Sequence, residues 1–168
     1  YCCRRGIGAP ALPERCAPLL PGRSEPLPWP DTCVHLDGAH NRDKLAFAVA
    51  ARQTVPGCPA VALVGLLGTK ASSDTVAPLR NQFSHLVVTE PRVYGKASCP
   101  AAATAGLLRT ASCEPEIIPD PEAALNRALL LARGGTLLIT GSFYLCGELR
   151  ERWYSKEQVV LQQTSWPV

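Results

Sequence analysis

Asp37 and His40 stand three residues apart in Leu36-Asp37-Gly38-Ala39-His40-Asn41, an acid and an imidazole separated by a glycine turn. Three roles are open to Asp37: it can accept from a pair of ribose hydroxyls, ligate magnesium, or cap the turn that follows it. His40, at the opening of a helix, can donate to a phosphate or nucleotide, or stand there with no such task. Upstream, Pro21-Gly22-Arg23-Ser24-Glu25 reads as a rigid turn that presents one guanidinium. Downstream, Gly141-Ser142 precedes another helical stretch. Ser142 either caps that helix or binds a carboxylate or phosphate, with Tyr144 nearby.

Placing these side chains together requires strands that end at one edge. From Thr32 onward short apolar runs alternate with helical patterns, the signature of an α/β fold. The expectation is a Rossmann-like, mainly parallel sheet with helices on both faces. Strands are expected over Cys33–Asp37, Ala60–Gly65, Leu86–Thr89, Glu116–Ile118 and Thr136–Thr140. Helices are expected over Asn41–Val55, Asp74–Phe83, residues 100–109, a stretch from Pro121 to about Leu131, and Tyr144–Trp153. In a parallel sheet the carboxyl ends of all strands share one edge, which gathers Asp37, His40, Lys70, Glu90, Arg92, Ser142 and Tyr144 as candidates. Residues 1–31, rich in proline, read as a linker. Residues 32–154 form the α/β domain, and 155–168 are a tail that adds an edge strand or trails over the surface.

The composition narrows the function. The formal charge of +3 is spread along the 168 residues without basic runs, so nothing points to nucleic acid. No apolar run is long enough for a membrane helix and no signal peptide is visible, which leads to a cytoplasmic expectation. Eight cysteines without a Cys-x-x-Cys read as mostly structural thiols rather than disulfides or a zinc site. The phosphate-loop, dinucleotide and serine-elbow motifs are all missing, which argues against a self-contained nucleotide hydrolase, dehydrogenase or serine hydrolase. The absence of Met and the start at Tyr1 are read as signs of a processed chain or a piece of a longer one.

Five segments in order carry a resemblance: the Pro21-Gly22-Arg23 turn, Leu36 to Asn41, Val64-Gly65 with Gly68 and Lys70, Val87 to Arg92, and Thr140-Gly141-Ser142-Phe143-Tyr144-Leu145 with Gly147-Glu148. Together, over residues 20–152, they resemble the C-terminal domain of folylpolyglutamate synthase/dihydrofolate synthase, within the Mur ligase superfamily. The resemblance implies a monomeric ATP-dependent ligase adding L-glutamate to dihydropteroate or a folate through an acyl phosphate. It places ATP, Mg2+ and most of the folate on a P-loop domain of the same polypeptide that this sequence lacks, so the chain alone is expected to be inactive. It assigns Arg23 to the ATP phosphates and catalysis, Asp37 to the ribose, His40 to the nucleotide, and Ser142 and Tyr144 to glutamate. Arg42 stands where the family usually has proline, and Thr69 and Ala71 replace acidic residues beside Lys70. The competing readings are a stand-alone nucleotide-binding or regulatory module without catalysis, and the C-terminal domain of a cell-wall Mur ligase. On the ribose assignment, Asp37→Ala is expected to raise the ATP requirement and leave the fold intact.

Overall fold

The computed structural model describes residues 20–52, 54 and 56–161. Six strands form one sheet: β1 (Glu25–Leu27), β2 (Cys33–Asp37), β3 (Ala60–Val64), β4 (His85–Val88), β5 (Glu116–Ile117) and β6 (Thr136–Thr140), in the order β1-β2-β6-β3-β4-β5. All neighbours are parallel except β1, which runs antiparallel to β2 at the edge. The expected α/β architecture is the one observed. The last strand in sequence, β6, lies between β2 and β3, with Asp37 and Val64 both level with Thr140. The corner that carries Asp37 is thereby brought beside the Gly141-Ser142 turn.

Among the described residues the α-helices are α1 (Arg42–Ala51), α2 (Ser73–Val76), α3 (Ala101–Leu108), α4 (Pro121–Leu131), α5 (Phe143–Arg150) and α6 (Lys156–Leu161), of which α1 to α5 contribute to the two core clusters on the sheet. Central strands read as unbroken apolar runs because they are buried on both faces. Val61 and Leu63 join Leu125, Leu129, Leu145 and Leu149 in one core cluster. Ala62 and Val64 join Leu45, Val76, Ala105 and Leu108 in the other. Side chains at alternate positions of one strand therefore anchor α4 and α5 on one face and α1, α2 and α3 on the opposite face.

Several boundaries differ from expectation for identifiable reasons. Helix α1 stops at Ala51: Arg52 turns extended and donates to Val49 O at 2.7 Å and Gln82 O at 2.8 Å, over the Phe83 ring. Gln53 and Val55, which the longer helix would have included, lie outside the described residues. The helix expected over Asp74–Phe83 is a single turn, capped by Ser72, followed by a 3-10 turn over Ala77–Leu79, since Pro78 supplies no N–H to continue it. The sheet begins earlier than Thr32, because the proline-rich segment ends in β1, where Pro26 is tolerated on an edge strand. The tail contributes a helix, α6, and no strand over its described residues; residues 162–168 and 1–19 lie outside them.

Candidate functional site

Two turns meet at the carboxyl end of β2. Gly22 has φ +65 and Ser24 φ +45, so the chain reverses tightly around Arg23. Gly38 N–H donates to Gly22 O at 2.8 Å, joining this turn to the one after β2. Asp37, buried, works on both: Oδ2 accepts from Ser24 N at 2.9 Å and Ser24 Oγ at 3.1 Å, and Oδ1 accepts from Ala39 N at 2.8 Å. The turn-cap role is therefore real, and the expectation that Asp37→Ala spares the fold is corrected. Losing the carboxylate would leave two backbone donors short of an acceptor.

From behind, the Arg23 turn is held by Glu25. Its Oε2 accepts from Gly22 N at 2.9 Å, and Oε1 meets Arg150 Nε and Nη2, both at 2.9 Å. The two side chains are 9% and 14% exposed. Sequence reasoning missed this pair, since the residues stand 125 apart.

Phe143 occupies the centre. The Arg23 guanidinium carbon lies 4.5 Å from the centroid of its ring, and His40 meets it edge-on at 5.8 Å. His40 Nδ1 lies 2.8 Å from Gly38 O. A carbonyl only accepts, so Nδ1 carries the proton and Nε2 has no protein partner among the described residues. Gly38 has no left-handed backbone to require glycine, yet a Cβ there would sit 2.3 Å from the Phe143 ring. The glycine is there for the ring. The sequence clue to Phe143 is the glycine in each facing turn, Gly22 and Gly38.

Beside this cluster opens a groove of about 480 Å³ lined by Arg23, Ser24, Asp37 and, from α1, Asp43, Lys44, Phe47 and Ala51. Phe47 is 67% exposed, a large apolar surface on a polar helix face. Arg23 has no carboxylate within ion-pairing reach among the described residues. A guanidinium without an ion-pair partner and a carboxylate that line one groove can take a ligand carrying both phosphate and hydroxyl groups. A metal is different: no group of three potential ligands occurs among the described residues. His35 lies two residues before Asp37 on the same side of β2, and burial pushes its imidazole below the usual histidine range.

Arg23, Asp37 and His40 thus come together, whereas the remaining candidates disperse. Ser142 is the N-cap of α5, buried, its Oγ accepting from Tyr144 N at 3.1 Å. Tyr144 is exposed and takes a hydrogen bond from Lys96 Nζ at 2.7 Å, with the ammonium 4.9 Å from its ring. Lys70 is exposed in the 3-10 turn Gly68–Lys70. Glu90 serves α3, accepting from Ala101 N at 2.8 Å. Arg92 is consumed by Asp120, the N-cap of α4, and by Glu148 of α5, so it ties its loop to two helices.

Fold and edge together define a Rossmann-like α/β domain with an arginine and a carboxylate facing one groove. The chain belongs to the Mur ligase, glutamate ligase domain family, whose sequence profile matches residues 22–143. No curated protein sequence matches it. Solved structures similar in fold include folylpolyglutamate synthase of Mycobacterium tuberculosis complexed with ADP and AMPPCP, at 22% identity and TM-score 0.69, covering 81% of this chain and 33% of that one. The bifunctional folylpolyglutamate synthase/dihydrofolate synthase of Yersinia pestis complexed with AMPPNP and Mn ion gives 24%, 0.67, 80% and 31% in the same order. Folylpolyglutamate synthase of Thermotoga maritima gives 24%, 0.65, 79% and 30%. The chain spans about a third of the length of these neighbours.

Proposed function

We propose that this chain is the C-terminal domain of an ATP-dependent folate ligase that joins L-glutamate to dihydropteroate or to a folate. The observation that carries the reading is the Arg23 guanidinium, free of any carboxylate partner among the described residues, sharing a groove with Asp37 in a domain of the Mur ligase, glutamate ligase family. The reading assigns the phosphate loop and the Mg2+ ligands to a central domain of the same polypeptide. Neighbours about two and a half times as long carry nucleotides or their analogues, one of them with Mn, AMPPNP and L-glutamate bound. The stretch ahead of the Arg23 turn would act as the connection between the two, since Glu25–Leu27 already belongs to the sheet as β1, with 155–168 as a tail. The enzyme would be cytoplasmic and monomeric, without nucleic-acid or membrane partners.

In such a reaction an acceptor carboxylate oxygen attacks the γ-phosphorus and ADP leaves with the electron pair of the broken P–O bond. The glutamate amine then displaces phosphate from the acyl carbon. Arg23 directs its donors at the phosphoryl oxygens as negative charge spreads over them. Asp37 gives both lone pairs of Oδ2 to Ser24 N and Oγ and one of Oδ1 to Ala39 N, which leaves one on Oδ1 to accept from a ribose hydroxyl. His40 lies against the nucleotide with Nε2 outward. Tyr144, with Lys96 beside it, positions the incoming glutamate, and Ser142 supports it through the helix start that it caps.

The complete polypeptide, given ATP, Mg2+, L-glutamate and dihydropteroate or tetrahydrofolate, is expected to release ADP only when an acceptor is present. Acceptor-independent release, or none with either acceptor, would reject the reading. Arg23→Ala should cut kcat by about 10³-fold while moving the KM for ATP much less.

A further inference from the structure

We infer that Phe143 is the positioning residue for Arg23, holding the guanidinium over its ring so that charge and donors face the groove; this rests on the reading of Arg23 as a phosphate contact. An arginine on a surface turn explores many rotamers, and a carboxylate is the usual means of fixing one. A carboxylate here would neutralise the guanidinium and compete with phosphate for its N–H groups. An aromatic face orients the planar cation and leaves the donors around its rim unspent.

The geometry has the parts such a device needs. The guanidinium carbon stands 4.5 Å from the ring centroid. The ring belongs to the first residue of α5, whose start is pinned by the Ser142 hydroxyl on Tyr144 N. It is wedged between two turns: a Cβ on Gly22 would come within 3.4 Å of it and one on Gly38 within 2.3 Å. His40 touches the same ring edge-on at 5.8 Å, so one side chain contacts both the groove-lining Arg23 and the histidine beside the groove. Phe143 is 38% exposed even with the guanidinium over its ring, so the core alone does not account for it.

The test uses the complete polypeptide. Phe143→Leu should lower kcat by about ten- to a hundredfold, the scale of a small misplacement of a catalytic group, with the KM for ATP changed less than about threefold. Phe143→Tyr should restore at least half of the turnover. Pentafluorophenylalanine at 143, which keeps the shape of the ring and reverses its charge distribution, should behave like Phe143→Leu without any loss of fold. In the Arg23→Ala background, Phe143→Leu should cost no further turnover. Wild-type kcat in Phe143→Leu or in the fluorinated protein overturns the positioning role alone, as does a double variant whose losses multiply. If Arg23→Ala leaves turnover unchanged, the phosphate assignment falls and this inference falls with it.

Discussion

Removing Glu25 should damage both the fold and the site. Its carboxylate is nearly dry and holds Arg150 and Gly22 N–H together. In Glu25→Ala the guanidinium of Arg150 keeps, among the described residues, the Tyr154 ring, 4.6 Å away, and Gly22 N–H loses its acceptor. Stripping one partner from a buried ion pair costs about 3–5 kcal/mol. With about 2–4 °C per kcal/mol for a chain of this length, the melting temperature should fall by about 6–20 °C. Because the pair is shielded from solvent, 1 M salt should change that loss little. The double variant Glu25→Leu/Arg150→Met should recover most of it. It removes both desolvation costs and leaves one orphaned backbone donor, at about 1–3 kcal/mol. Denaturant unfolding followed by tryptophan fluorescence is a suitable assay, since Trp29 packs edge-on against Trp153 at 5.8 Å, just beyond α5. A Glu25→Ala protein within about 1 kcal/mol of wild type, or a double variant no more stable than the single one, would refute the reasoning.

Asp37→Asn should raise the KM for ATP of the complete enzyme while keeping the Ala39 contact, so its melting temperature should drop less than that of Asp37→Ala; an unchanged KM removes the ribose role. Gly141→Ala should cost about 3 kcal/mol or more, because φ is +105 and the new Cβ would stand 2.6 Å from Gly65 O; a melt like wild type would contradict this. Burial lowers the pKa of His35 below its unfolded value of 6.5, so the native state binds fewer protons than the unfolded chain just below that pH. Stability is therefore full above about pH 6.5 and declines as pH falls through the window beneath it. His35→Gln should flatten that decline in denaturant titrations between pH 6.5 and 5, and an identical slope would exclude the assignment.

What could be read from the sequence was whatever is written locally. Val61 to Val64 and Leu137 to Ile139 are apolar without interruption because both faces of the sheet are covered, and Ser142 and Asp120 announce the helices they cap. The edge strand was not legible. Glu25-Pro26-Leu27 carries a charge and a proline, and the charge is admissible in the interior only because Arg150 arrives from the opposite end of the chain. Arg92 misled for the same reason: a basic residue after a strand looks available for a ligand until Asp120 and Glu148 are placed around it.

Phe143 shows where the boundary lies. At a helix start, an apolar residue is ordinarily read as core, and a glycine after an acid as a turn former. Both inferences are locally sound, yet the glycine's backbone is unremarkable and the phenylalanine is half-exposed. They make sense only against each other. Gly38 lacks a side chain because the Phe143 ring takes that volume, and the ring is there because Arg23 and His40 lean on it. It follows that Gly38→Ala should displace the ring without straining its own backbone and lower turnover through Arg23. Combining it with Phe143→Leu, which vacates the volume, should relieve the steric cost and restore stability without restoring turnover.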